Sequence, residues 1–180
     1  MQADIDRVLF TSEQIRARVE ALAREIAAAY GDSVPLTLVP IMSGSIIFLA
    51  DLIRQMPVRM KIALVHLSTY RGATTQAGTP ELVMKLAGDI AGRHVLLIDD
   101  ILDTGRTLRK VQAMIAACEP ASQRTCVLLR KPDKAPPDVE VDFVGFDIDD
   151  LFVVGYGLDY DDHYRNYPHI GVLRAELTPQ

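Results

Sequence analysis

The stretch VLLIDDILDTGRT at residues 95–107 runs from a short apolar segment into two adjacent carboxylates and then into a small polar loop. A helix is expected to begin near Thr107. Backbone N–H groups at a helix N-terminus bind a phosphate monoester well, so the loop at 103–107 is a candidate phosphate site. Unpaired carboxylates beside a phosphate would repel it, but they accept hydrogen bonds from the hydroxyls of an attached sugar. The pattern therefore predicts a ribose 5-phosphate site, with the sugar hydroxyls on Asp99 and Asp100.

Two other interpretations compete with this one. One aspartate could merely cap the following turn, which would explain an Asp-Asp pair alone but not the whole combination of residues. A P-loop or a dinucleotide-binding loop would require GxxxxGK[ST] or GxGxxG, and the stretch matches neither pattern. The sugar-phosphate interpretation is therefore favoured.

The elements that must position this stretch alternate between helices and strands. Thr11 and Gln14 fit the capping box of a first helix, which is expected to stop at Gly31. A second helix is expected over 46–55, and a third helix runs through about 114–118. Strand-like apolar runs lie at 36–41, 61–67, 95–98 and 125–129.

This alternation predicts an α/β fold with an open, mostly parallel sheet flanked by helices. In such sheets, ligands bind outside the carboxyl ends of the strands. The chemistry is therefore expected just after residues 41, 67, 98 and 129, and the unusual residues of the sequence lie at those places.

Two segments interrupt the alternation. Residues 68–80, STYRGATTQAGTP, are polar and rich in Gly and Thr, and we expect them to form a lid. Residues 132–138, PDKAPPD, are a proline-rich connection. We expect a single domain over residues 1–180, with a small hood built from the N-terminal segment and residues about 132–180.

Composition excludes several classes of function. A net charge of −5 without a basic stripe argues against binding to nucleic acid. The two cysteines are expected to be reduced thiols, and the four histidines lack the HxxH or HExxH spacing of a zinc site. No signal peptide or membrane span is visible, so we expect a soluble cytoplasmic protein.

The stretch at 95–107 resembles the phosphoribosyl-pyrophosphate (PRPP) signature of the type I phosphoribosyltransferases. From about Leu38 to Val172 the chain is similar to the hypoxanthine-guanine branch of that family. IMSGSIIFLADL resembles the family's pyrophosphate loop, and VVGYGLDY resembles its metal-binding segment. The motifs occur in the family's order, which makes the resemblance more specific than one loop.

The resemblance implies a role for each matching residue. Asp99 and Asp100 would hold the ribose hydroxyls, and Asp103 would act as acid or base at the purine N7. The other implied roles are a 5′-phosphate loop at Thr104, Gly105, Arg106 and Thr107; purine contacts from Lys131, Phe152 and the backbone of Val153; pyrophosphate contacts from Ser43, Gly44 and Arg165; lid residues Thr69 and Tyr70; and a Mg²⁺ ligand at Asp159.

Some of these residues would look ordinary without the resemblance. By composition alone, Lys131 is a surface lysine beside a proline turn and Phe152 is a core aromatic. The sequence also departs from the family twice. Ser43 replaces the usual lysine of the pyrophosphate loop, and His66 stands where some members have arginine. These departures bear on PRPP affinity and rate rather than on the class of reaction.

The implied reaction joins a 6-oxopurine, hypoxanthine or guanine, to PRPP with Mg²⁺ and releases pyrophosphate, and the family implies a homodimer or homotetramer. One alternative is a regulatory PRPP-binding protein of the same fold, which would need a basic face that the sequence lacks. Another alternative is a phosphoribosyltransferase for xanthine, uracil or adenine. Lys131 favours a 6-oxopurine over adenine, because an ammonium group donates to a carbonyl oxygen but not to an amino group.

Overall fold

The computed structural model describes residues 1–31, 34–70, 81–86 and 89–177, with the backbone alone at 66–70 and 81–86. In this part of the chain there are three α-helices and ten strands. In chain order they are β1 (Ile5–Phe10), α1 (Ser12–Tyr30), β2 (Leu36–Pro40), α2 (Ile46–Gln55), β3 (Met60–Ile62), β4 (Val65–Tyr70), β5 (Glu81–Leu86), β6 (His94–Leu102), α3 (Arg106–Ala116), β7 (Ser122–Arg130), β8 (Phe143–Asp147), β9 (Val153–Val154) and β10 (Ile170–Leu173).

Within the described residues, five strands form a parallel sheet in the order β3-β2-β6-β7-β8. The predicted α/β fold with an open parallel sheet is confirmed. The sheet is buried on both faces, because successive side chains of β6 alternate between two apolar clusters. Leu96 and Ile98 pack with α1 and α2, whereas Val95 and Leu97 pack with α3.

Local sequence fixes the helix limits. Thr11 caps α1 through a capping box with Gln14, and Gly31 follows the helix at φ +69°, a left-handed value that suits glycine. The second helix has the predicted bounds of 46–55, whereas the third, Arg106–Ala116, ends two residues before the expected limit near 118. Among the described residues, no helix has the length and apolar character to cross a membrane.

The expectation of one buried strand over 61–67 is wrong. β3 ends at Ile62, and β4 begins at Val65 in a separate antiparallel ribbon with β5. β3 pairs with β2 and lies at the edge of the sheet, so its side chains have fewer neighbours, and Ile62 is 47% exposed. Of the expected lid at 68–80, the first three residues belong to β4, and the rest lies outside the described residues.

A second small sheet lies beyond the carboxyl edge of the first. Among the described residues it has the strand order β1-β10-β9, with Phe10 paired to Ile170 and Val154 paired to Gly171. We call it the hood sheet. β8 falls within the range of 132–180 expected for the hood, but it is a strand of the parallel sheet. The division into one domain with a hood stays a prediction.

Candidate active site

A cavity of about 430 Å³ lies at the carboxyl ends of β2 and β6, where the fold class predicts a ligand. We call it the phosphate-side cavity, after the phosphate that the sequence predicts there. Residues from four separate parts of the sequence line it. They are Ile41, Met42, Ser43, Gly44, Asp99, Asp100, Ile101, residues 103–108, Asp159 and Arg165. The structure thus brings the residues expected at ribose, phosphate and pyrophosphate around one cavity, while their roles stay predictions.

The loop at 103–107 leads into α3 with the geometry of an anion site. Gly105 is the N-cap of α3 at φ +67°, and no side chain among the described residues caps the first turn. A Cβ added to Gly105 would lie 2.9 Å from Cγ of Pro136, in the proline-rich connection. The N–H groups of the first helical turn therefore remain free to bind a phosphate.

Asp99 and Asp100 are in the last part of β6, which continues past the expected end at Ile98. Asp99 is 7% exposed, and its Oδ1 accepts a hydrogen bond from the Asp100 backbone N–H at 3.1 Å. Burial raises the pKa of Asp99 well above its usual range, and the neighbouring Asp100 carboxylate raises it further. Burial also raises the pKa of Asp100. Two adjacent, poorly solvated carboxylates are a costly arrangement that ligand hydroxyls or a cation would stabilise.

The expected pyrophosphate loop packs directly against these carboxylates. A Cβ on Gly44 would overlap the carboxylate of Asp100, so a side chain does not fit at this position. The Met42–Ser43 peptide bond is cis. Ser45 is fully buried, and its Oγ donates to the Ile41 carbonyl at 2.6 Å. These contacts hold the loop at the rim of the cavity.

Asp159 and Arg165 reach the same cavity from the segment between β9 and β10. Arg165 Nη2 lies 2.9 Å from Asp159 Oδ1 and 2.9 Å from Asp162 Oδ1, and Nη1 donates to the Gly157 carbonyl at 2.9 Å. Gly157 has φ +103°, and a Cβ there would overlap the Gly44 carbonyl oxygen. Close backbone packing therefore brings this segment onto the pyrophosphate loop.

The carboxylate of Asp159 suits a hard cation. No group of three or more His, Cys, Asp or Glu side chains in the described part of the chain is arranged to hold a metal. Mg²⁺ does not require such a group, because it commonly binds through one or two carboxylates together with substrate phosphates and water. The Asp159 side chain is 31% exposed and lines the cavity beside Asp99 and Asp100. The donor set therefore fits Mg²⁺ carried mainly by a polyphosphate.

A second cavity, of about 820 Å³, lies under the hood sheet, and we call it the base cavity, after the purine contacts that the resemblance predicts for its residues. Lys131, Phe152 and Asp103 line it, and Asp103 also lines the first cavity. Phe152 is partly buried and packs edge-on against Tyr160, with ring centroids 5.4 Å apart. Val153 is 7% exposed and pairs with Val172 in the hood sheet. Asp103 therefore lies at the boundary between the two cavities, next to any ligand that occupies either of them.

Lys131 is not the surface lysine that composition suggests. It is 6% exposed, and its Nζ donates to Asp103 Oδ2 at 3.1 Å and to Asp150 Oδ1 at 3.0 Å. Lys134 Nζ lies 2.7 Å from Asp150 Oδ2 and 3.9 Å from Asp103 Oδ1. Sequence reasoning missed Asp150 and Lys134, because neither belongs to a recognised motif and their nearness depends on the pairing of β7 with β8.

Two expected residues cannot be placed in the site. Thr69 and Tyr70 are the last residues of β4, but their side chains and residues 71–80 lie outside the description of the structure. The same holds for the side chain of His66. The lid therefore stays a prediction.

Comparisons with known proteins all point to one enzyme family. Residues 9–161 match the family model described as "Phosphoribosyl transferase domain". A hypoxanthine-guanine phosphoribosyltransferase of Mycobacterium avium is 41% identical over 98% of this chain and 90% of its own length, and one of Bacillus subtilis is 37% identical over 98% of both chains. The crystal structure of a hypoxanthine phosphoribosyltransferase from Staphylococcus aureus superposes with a TM-score of 0.89 at 36% identity, covering 100% of this chain and 97% of the other.

Proposed function

The chain belongs to the phosphoribosyl transferase family, and on that basis we propose that it transfers the 5-phosphoribosyl group of PRPP to hypoxanthine or guanine. The products are IMP or GMP and pyrophosphate, and the reaction serves purine salvage. The observation that carries the proposal is the position of Asp103. Asp103 lines both the phosphate-side cavity and the base cavity, so it lies at the junction where a bond between sugar and base would form.

The phosphate-side cavity supports binding of the ribose 5-phosphate. The free N–H groups of the first turn of α3, with Thr104 and Thr107 beside them, suit the 5′-phosphate. Asp99 and Asp100 offer acceptors for the 2′- and 3′-hydroxyls. Hydroxyl donors would satisfy carboxylates that are otherwise stabilised poorly by their surroundings.

Pyrophosphate would leave toward the loop at Ser43 and Gly44. As the bond from C1′ to the pyrophosphate oxygen breaks, positive charge builds on the ribose and negative charge on the leaving group. Arg165 lines this cavity, and its guanidinium would neutralise part of that negative charge. Mg²⁺, held by Asp159 and the phosphates, would supply further neutralisation when bound.

The base cavity supports a 6-oxopurine. An ammonium group has three N–H donors, and the two carboxylates beside Lys131 take two of them, so one remains for the purine carbonyl. Phe152 offers a ring face for stacking. Asp103 would accept the proton that the purine loses as its N9 bonds to C1′, a role that typically contributes about 10²–10⁴-fold in rate. The same donor on Lys131 argues against adenine, whereas xanthine and uracil stay alternatives.

We further propose that the protein works as a cytoplasmic homodimer or homotetramer. Its substrates are small molecules, and its acidic charge of −5 does not suit a nucleic-acid partner. A regulatory PRPP-binding protein of the same fold is the second candidate, and it would keep the phosphate-side cavity without turnover.

The test is an assay of the purified protein with PRPP and Mg²⁺, offering hypoxanthine, guanine, xanthine, adenine and uracil separately. We expect nucleotide formation with hypoxanthine or guanine, loss of activity with a chelator, and a fall of about 10²–10⁴-fold in the Asp103→Asn variant. PRPP binding without turnover of any base would overturn the enzymatic proposal and favour the regulatory one.

A further inference from the structure

We infer that Asp150 is a positioning residue, which holds the ammonium groups of Lys131 and Lys134 away from Oδ1 of Asp103 and so keeps that oxygen free for the base. The inference rests on the proposed function and deepens it. It concerns a residue that none of the recognised motifs contains.

Four charged groups alternate in sign along this side of the base cavity. Asp103 contacts Lys131, Lys131 contacts Asp150, and Asp150 contacts Lys134, with N–O distances of 3.1, 3.0 and 2.7 Å. The four charges sum to zero. The pKa of Asp150 is lowered by its hydrogen bonds from Lys134 and Lys131, and the bond to Asp150 raises the pKa of Lys134.

The two oxygens of the Asp103 carboxylate differ in their hydrogen bonding. Its Oδ2 accepts from Lys131, whereas its Oδ1 is buried and has no hydrogen-bond partner in the described part of the chain. Lys134 Nζ is 3.9 Å from Oδ1, which is a charge contact but too long for a hydrogen bond. A buried acceptor without a donor is unusual and calls for an explanation. A proton-bearing ring nitrogen of the base is a donor of the right kind.

Asp150 explains why neither lysine satisfies that oxygen. It accepts one hydrogen bond from each lysine, and both oxygens of its carboxylate are occupied. If Asp150 were neutral, Asp103 would be the one carboxylate of this network left to pair with the ammonium groups of both lysines. Lys134 would close the gap of 3.9 Å onto Oδ1, and the base would then have to displace a charge-assisted hydrogen bond.

The test compares Asp150→Asn with Asp149→Asn in the full-length protein. Asp150 is 48% exposed at its side chain, so the isosteric amide should fold, and Asp149 is an exposed neighbour outside the network. For D150N we expect kcat/KM for hypoxanthine to fall by roughly 10–100-fold, with effects on both kcat and the KM for the base. The KM for PRPP should stay within about twofold, because the phosphate-side cavity is unchanged.

A double variant separates positioning from a merely structural role. Lys134→Met removes the ammonium that would move onto Asp103. The kcat/KM of D150N/K134M should therefore be at least about threefold higher than that of D150N. A structural defect would instead make the double variant as poor as D150N or worse.

The outcomes distinguish this inference from the proposal beneath it. Turnover by the wild-type protein together with equal kinetics for D150N and D149N, or a double variant without recovery, would overturn the inference alone. Absence of turnover by the wild-type protein with any base would overturn the proposed function and this inference with it.

Discussion

Replacing Asp99 with asparagine is expected to stabilise the protein while weakening PRPP binding. Asp99 is 7% exposed, and its carboxyl group touches that of Asp100. The amide keeps the oxygen that accepts from the Asp100 N–H. It also replaces an oxygen next to the second carboxylate with an N–H donor, so a repulsive contact becomes an attractive one.

The direction of the effect follows from the raised pKa of Asp99. Each pKa unit above the ordinary value corresponds to about 1.4 kcal/mol of penalty once the group is ionised. Substitutions that relieve such functional strain commonly stabilise by about 0.5–2 kcal/mol, and we expect a gain in this range at neutral pH. Loss of a charged acceptor for a sugar hydroxyl costs about 1.5–3 kcal/mol of binding, so the KM for PRPP should rise roughly 10–100-fold.

The gain should depend on pH in a defined direction. Because the folded pKa of Asp99 lies above its unfolded value, the contribution of Asp99 to the stability of the wild-type protein is fully present below the ordinary Asp pKa and is lost as pH rises through the folded pKa. The variant lacks this loss. The difference between the two should therefore be largest at neutral pH and shrink toward the ordinary Asp pKa.

Urea unfolding at about pH 7.5 and about pH 5 measures this difference. Asp149→Asn is the matched control, since it removes an exposed carboxylate and should change stability by less than about 0.5 kcal/mol. A D99N protein that is less stable than the wild type at the higher pH, or a gain that grows as pH falls, would refute this account of the paired carboxylates.

Other changes test the packing around the site. Gly44→Ala would drive a methyl group into the Asp100 carboxylate, so kcat/KM for PRPP should fall at least about tenfold in steady-state assays, and unchanged kinetics would contradict the packing. Tyr156→Phe removes a hydrogen bond of 2.7 Å to Asp51 and should cost about 1–2 kcal/mol in urea unfolding, whereas a neutral result would mean that water replaces the hydroxyl. Thr11→Ala removes the capping box and should cost about 1 kcal/mol with kinetics unchanged, so a kinetic effect would show that the cap also supports the site.

Local signals in the sequence predicted the helices and most of the parallel sheet. The capping box at Thr11 and the glycine at 31 mark the limits of α1 through backbone chemistry that depends on neighbouring residues only. The break between Ile62 and Val65 has no such signal. The run from 61 to 67 is largely apolar throughout, and the choice between sheet edge and ribbon depends on partners distant in sequence.

The candidate site divides in the same way. Asp99, Asp100 and the loop at 103–107 are contiguous, so their chemistry could be read directly from their order. Asp150 follows β8 and Lys134 follows β7, and only the pairing of those strands brings their charges together. Sequence patterns identify residues whose role depends on their spacing along the chain. They do not identify residues whose role depends on contacts formed only in the folded structure.

The hood sheet also bears on the order in which the protein is made. Synthesis proceeds from the N-terminus, so the strands of the parallel sheet have all emerged once Asp147 has left the ribosome, whereas β10 follows more than twenty residues later. Throughout that interval β1 lacks its partner strand β10, which covers Ile5 in the folded protein. The nascent chain therefore exposes β1, a strand with four apolar residues and an unpaired edge, which is the kind of segment that chaperones bind and that aggregates when folding stalls. The loop at 103–107 is therefore synthesised before the hood sheet that covers the base cavity is complete.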